Sequence, residues 1–255
     1  VDTAAETVKE VADVVLLKKD LNVLEEGIKE GRRAFANVSK YIRITASSNF
    51  GNIFSIVIAS AFLPFFPMTA LQILLLNLLY DLLCLVLPWD QVDESICAKP
   101  LEWSGKTLGR FMRFFGPLSS LFDLATFAFL YFILCPALLG DNFTELSSAM
   151  QSQFAILFHT GWFLESMWTQ VLILHLLRTK QLSILRSRAS GVVWLVTSAG
   201  LLILTAIVYT PAAHLLGLAP LPLWYFGFLA VTILAYMLLV TAAKRWYIQK
   251  YHTLL

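Results

Sequence analysis

The sequence predicts an all-α polytopic membrane protein: a six-transmembrane-helix bundle preceded by a short α/β remnant of a cytoplasmic domain. Three observations predict it. Apolar residues make up 58% of the 255 positions and the mean hydropathy is +0.72, outside the range of soluble domains. Six apolar stretches are long enough to cross a ~30 Å hydrocarbon core at ~1.5 Å per residue: Ile44–Phe66, Thr69–Pro88, Phe114–Leu138, Phe158–Leu177, Val192–Leu215 and Leu221–Thr241. Finally, alternating those spans puts all 19 Lys and Arg on one side of the membrane.

The basic residues precede the first span, ending at Lys40 and Arg43. They recur between the second and third (Lys99, Lys106, Arg110, Arg113), between the fourth and fifth (Arg178, Lys180, Arg186, Arg188), and after the sixth (Lys244, Arg245, Lys250). The opposite loops, Pro64–Thr69, Gly140–Ala155 and Thr210–Pro220, contain none. The positive-inside rule then makes both termini cytoplasmic. These clusters read as headgroup-level anchors, which excludes a nucleic-acid partner. Cys84, Cys97 and Cys135 show no metal spacing and read as apolar filler or a solvated thiol.

In chain order, Thr3–Ala12 has helical apolar spacing and Asp13–Leu17 reads as a short buried strand. Asn22 is the expected cap of a second helix with Val23, Leu24, Ile28, Phe35 and Val38 on its apolar side. Residues 1–39 thus form one unit, the closing piece of an α/β domain, and residues 40–255 the transmembrane domain. Only Gly31 weakly interrupts the helical pattern that runs from Asn22–Ser39 into the first span, so a rigid stalk that transmits force is expected.

The first span opens with ITASSNFGNIFS, where Asn49 and Asn52 share a face and Gly51 permits close approach of a neighbouring helix. The second span carries Asn77 and Asp81, four apart and on one face. A carboxylate this far into the bilayer costs roughly 2.5–3.5 kcal/mol on insertion scales, which points to an ion or proton site. Helix rise puts Asn49 and Asn52 ~8–12 Å deep and Asp81 and Asn77 ~10–16 Å deep, so the four oxygens can converge across the hairpin. One carboxylate and three carboxamides are hard ligands suited to Mg²⁺ or Ca²⁺, and a single formal charge favours a cation that keeps several waters, Mg²⁺.

The loop after the second span carries Asp90, Asp93, Glu94 and Glu102, read as a solvated face. Asp123 in the third span and Glu165 in the fourth are embedded acids on a possible ion path, with Gln170 and His175 nearby. Trp162, Trp168, Trp194, Trp224 and Trp246, with Tyr209, Tyr225 and Tyr247, read as an aromatic belt. The fifth and sixth spans read as scaffold.

EGRRAFANVSKYIRITASSNFGN (Glu30–Asn52) and NLLYD (Asn77–Asp81), with GWF (Gly161–Phe163) and the stretch from Gln170 to Arg178, resemble P-type ATPases after their phosphorylation domain. The magnesium-transporting branch is the most similar. The resemblance implies that Val1–Ser39 is the tail of the phosphorylation domain and that the six spans are the fifth to tenth transmembrane helices. It further implies that Asn49, Asn52, Asn77 and Asp81 are the cation ligands. An amide at Asn52, where related calcium pumps carry glutamate, fits the magnesium branch. The chain has no DKTGT, TGE or GDGxND motif and no nucleotide domain, so no aspartyl-phosphate forms within it. ATP would act only through domains absent from this chain.

The implied function is the cation-translocating part of an ATP-driven Mg²⁺ importer in the plasma or inner membrane, partnered by the bilayer, the transported cation and the missing N-terminal part. Two alternatives of other classes stay open. One is a stand-alone channel or secondary transporter using Asp81, Asp123 and Glu165; the other is a catalytically inactive regulatory membrane subunit.

Overall fold

The computed structural model describes residues 1–101, 103–181, 189–252 and 254; Glu102, Arg186 and Arg188 lie outside the described residues. All regular elements among the described residues are helical. Helix α1 (Glu6–Val11) is followed by irregular chain. Asp13–Leu17, expected as a strand, is part of that irregular chain, where the Asp2 N–H donates to the Leu16 carbonyl at 2.8 Å. A lone strand has no ladder to join, so the expected α/β piece is helix and irregular chain instead.

Helix α2 (Leu21–Phe62, 42 residues) is the long axis of the molecule. Its cap lies slightly earlier than expected, the Asp20 side chain accepting from the Asn22 N–H at 2.9 Å. Gly31 does not break it, and the expected continuous stalk of about 63 Å forms. A tight reversal leads to α3 (Ala70–Cys84), which opens on a reciprocal cap: the Thr69 hydroxyl accepts from Gln72 N–H and the Gln72 carboxamide accepts from Thr69 N–H.

A 3₁₀ turn at Leu87–Trp89 and the short α4 (Glu94–Cys97) lead to α5 (Gly105–Phe129). This helix runs through a π turn at Leu130–Leu134 into α6 (Cys135–Leu139), which stops at Gly140 in left-handed backbone, φ 92°. The remainder is α7 (Ser148–Leu177), α8 (Gly191–Ile207), α9 (Ala212–Leu215) and α10 (Leu223–Tyr251).

Among the described residues, four helices are long and apolar enough to cross a membrane: Asn22–Phe62, Ala70–Trp89, Gly105–Leu139 and Leu223–Tyr251. Of the two other expected spans, α8 is apolar but has 17 residues. Helix α7 has 30, yet it carries Glu165, Gln170 and His175 and is buried along most of its length. It packs against α2, α3, α5, α8 and α10, and a helix walled by protein has no need of an apolar surface all round.

The tightest crossing joins α2 to α5. A Cβ on Gly51 would sit 2.9 Å from the Gly116 carbonyl oxygen, and one on Gly116 would sit 3.3 Å from the Ser47 carbonyl. Gly51 therefore serves the close approach expected of it, with α5 as the neighbour. Trp194, Trp224 and Trp246 are exposed, as an aromatic belt requires, but Trp162, Tyr225 and Tyr247 are buried and do not belong to one. The Tyr225 hydroxyl donates to the Gly161 carbonyl at 2.6 Å.

Candidate cation site

The predicted ligands occupy two adjoining helices. On α2, Asn49 is half-buried and Asn52 is 7% exposed, with an amide nitrogen that has no hydrogen-bond partner. On α3, Asn77 and Asp81 are half-buried, and the Asn77 carbonyl oxygen is buried without a partner. The α2 and α3 faces meet where the Tyr41 hydroxyl donates to Asp81 Oδ1 at 3.2 Å. None of the four predicted ligands hydrogen-bonds another. Among the described residues no group of three or more His, Cys, Asp and Glu could hold a metal, so any cation site here depends on amide oxygens as well as acids.

Asp123 and Glu165 come together in a second polar region, one turn further along α2. Ser55 follows Asn52 by three residues and so shares its face. The Ser55 hydroxyl donates to Asp123 Oδ2 at 2.6 Å, and the indole N–H of Trp162 donates to Oδ1 at 2.9 Å. Glu165, one turn past Trp162 on α7, is fully buried beside Asp123, and neither of its oxygens makes a hydrogen bond of standard geometry. Both heteroatoms of the Gln170 amide and the hydroxyls of Thr126 and Ser166 are likewise unpartnered.

Buried groups of this kind are unusual. A buried polar group without a partner costs roughly 1–3 kcal/mol, and most interiors contain few of them. Those of Asn77, Thr126, Glu165, Ser166 and Gln170 include hard oxygen atoms, the donor type that Mg²⁺ or Ca²⁺ takes. Ser55 and Trp162 were missed by sequence reasoning. The three-residue spacing of Asn52 and Ser55 was the available signal for the first; nothing local signalled the second.

A third polar cluster lies at the charged end of the bundle and corrects two expectations. Asp90, expected in a solvated loop, is 6% exposed and clamped between helices. Lys40 Nζ donates to its Oδ2 at 3.1 Å, and Arg178 donates to both carboxylate oxygens at 3.0 Å. Asp93 accepts from the Thr179 hydroxyl at 2.6 Å, whereas Glu94 is exposed as expected. Lys40, Arg178 and Lys244, expected as headgroup anchors, are instead buried. Lys244 donates to the carbonyls of Leu176, Thr179 and Gln181 at 2.7, 3.2 and 2.8 Å, satisfying the C-terminal end of α7.

Comparison with known proteins places this architecture. The chain is 44% identical over 251 residues to the magnesium-transporting ATPase, P-type 1, of Salmonella typhimurium strain LT2, covering 98% of this chain and 26% of that protein. It is 43% identical to the protein of the same description from Escherichia coli strain K12, with the same coverage. A calcium-transporting ATPase of Bacillus subtilis is 30% identical over 114 residues, covering 40% of this chain and 13% of its own length. The chain thus spans about a quarter of the length of the magnesium-transporting relatives it matches. Residues 65–246 match the family described as cation transporting ATPase, C-terminus. The chain belongs to the cation-transporting ATPases and carries their C-terminal membrane region.

Proposed function

We propose that this chain is the cation-translocating membrane part of an ATP-driven Mg²⁺ importer. The observation that carries the reading is the coincidence of two features. One is the similarity, along nearly the whole chain, to magnesium-transporting ATPases; the other is a set of buried Asn and Glu atoms without a partner, on Asn52 of α2, Asn77 of α3 and Glu165 of α7. Asn49, Asn52, Asn77 and Asp81 hold the cation through oxygen, with waters filling the remaining positions. Asp123 on α5 and Glu165 on α7 extend the route. A single acid among the four ligands suits a cation that stays partly hydrated, so Mg²⁺ is preferred over Ca²⁺.

In the proposed topology α2, α3, α5, α7, α8 and α10 all cross the inner or plasma membrane, and both termini are cytoplasmic. Residues 1–39 close a phosphorylation domain supplied by the rest of the pump, where ATP acts. Phosphorylation there would tilt α2 as a rigid lever and switch the site between the two sides of the membrane. In a full-length pump carrying this chain, Asp81→Ala abolishes Mg²⁺-stimulated ATP hydrolysis; hydrolysis at the wild-type level in that variant refutes Asp81 as a ligand. A stand-alone channel predicts Mg²⁺ flux through this polypeptide alone in liposomes, and the pump reading predicts none. A regulatory subunit predicts co-purification with an intact ATPase.

A further inference from the structure

The Tyr41–Asp81 hydrogen bond does not fit a cation already held by all four predicted ligands. Asn49 lies eight residues beyond Tyr41 on α2, about 12 Å along the axis. Helical side chains lean toward the helix N-terminus, so Tyr41, Asn49 and Asn52 lean the same way on α2 and the lean does not close that separation. Asp81 has a short side chain, so it meets Tyr41 and the deeper amides in different positions of α3 rather than at once.

Tyr41 also forms part of a wall. A cavity of about 750 Å³ lies between α2 and the chain that follows α3. Its lining runs from exposed Glu30 and Glu94 at one end, past Asn37 and Asp90, to Tyr41 and Cys84 at the other. Asp81 is bonded to the Tyr41 hydroxyl but does not itself line the cavity. The cavity is large enough for a cation with its water shell, and it opens on the side of the Lys- and Arg-rich loops.

We propose that Tyr41 is a gate between this vestibule and the cation site. Its phenol holds the Asp81 carboxylate at the inner wall, and that bond must break for a cation to pass between the vestibule and the amides deeper on α2. The phenol proton and the cation compete for the same carboxylate oxygen, so the hydrogen bond opposes cation binding. Tyr41 is a positioning residue that acts through Asp81, and its role rests on Asp81 being a ligand.

The test is Tyr41→Phe in a full-length pump carrying this chain, which removes the hydroxyl and keeps the ring. Apparent KM for Mg²⁺ in ATP-driven uptake falls by about ten-fold, corresponding to a ~1.4 kcal/mol bond; an unchanged or raised KM overturns the gate. Asp81→Asn in the same preparation separates the two levels. If Asp81→Asn is inactive and Tyr41→Phe has the wild-type KM, only the gate falls; if Asp81→Asn is itself unchanged, the ligand reading falls and the gate with it. Should Tyr41→Phe fail to accumulate, Cys84 at the inner wall reports on the native tyrosine. With every other cysteine replaced, a cationic methanethiosulfonate labels Cys84 several-fold more slowly when Mg²⁺ is present, and labelling indifferent to Mg²⁺ overturns the proposal.

Discussion

The Asp90 cluster and the Asp123–Glu165 region are both buried, both polar and both built on α2 and α7, yet one is filled and the other is not. Around Asp90 the carboxylate oxygens each have a cationic partner, and a backbone N–H from Ser190 adds a further contact at 3.4 Å. Around Glu165, Asn52 and Gln170, carboxylate and amide atoms stay without partners. A satisfied network fixes helices in place; buried groups without a protein partner are those that water or an ion can serve. The two regions also differ in position along the same helices. The filled one closes the charged end of the bundle, and the open one lies toward the middle.

That contrast can be broken by mutation, and the largest effect belongs to the filled cluster. Asp90→Ala leaves Lys40 and Arg178 as buried, uncompensated cations and lowers stability by roughly 3–5 kcal/mol, read as loss of folded protein in detergent with or without Mg²⁺. Gly51→Val is next, at roughly 1–3 kcal/mol, because the added atoms meet the Gly116 backbone and force α2 and α5 apart; thermal unfolding measures it. Glu165→Gln keeps shape and removes the acid, and its stability change stays below about 1 kcal/mol because no hydrogen bond of standard geometry is lost. Its effect is on KM for Mg²⁺. Lys29→Ala, which removes an exposed ion pair with Glu25, changes stability by less than about 0.5 kcal/mol and leaves transport unaltered.

Much of this was legible in the sequence. The apolar runs located the helices, and the spacing of Asn49 with Asn52 and of Asn77 with Asp81 put each pair on one helical face. Gly51 announced a close crossing, though not that α5 would be the partner. What failed was information carried by the third dimension. Asp90 lies 88 residues from Arg178 and 50 from Lys40, and nothing around any of the three signals that they meet. Trp162 looked like an interface anchor because its hydrogen bond to Asp123 spans 39 residues. Asp13–Leu17 has the composition of a strand, but a strand needs a neighbour to pair with. Helix α7 falls short of a membrane span by composition for a related reason: its polar residues face protein.

The most direct measurement is ATP-driven Mg²⁺ uptake into vesicles, normalised to the amount of folded pump, for Asp81→Ala beside Asp90→Ala. If Asn49, Asn52, Asn77 and Asp81 form the cation site and the filled cluster is a structural clamp, Asp81→Ala folds normally and takes up no Mg²⁺, whereas the surviving Asp90→Ala molecules still do. Wild-type uptake per folded molecule in Asp81→Ala would contradict it.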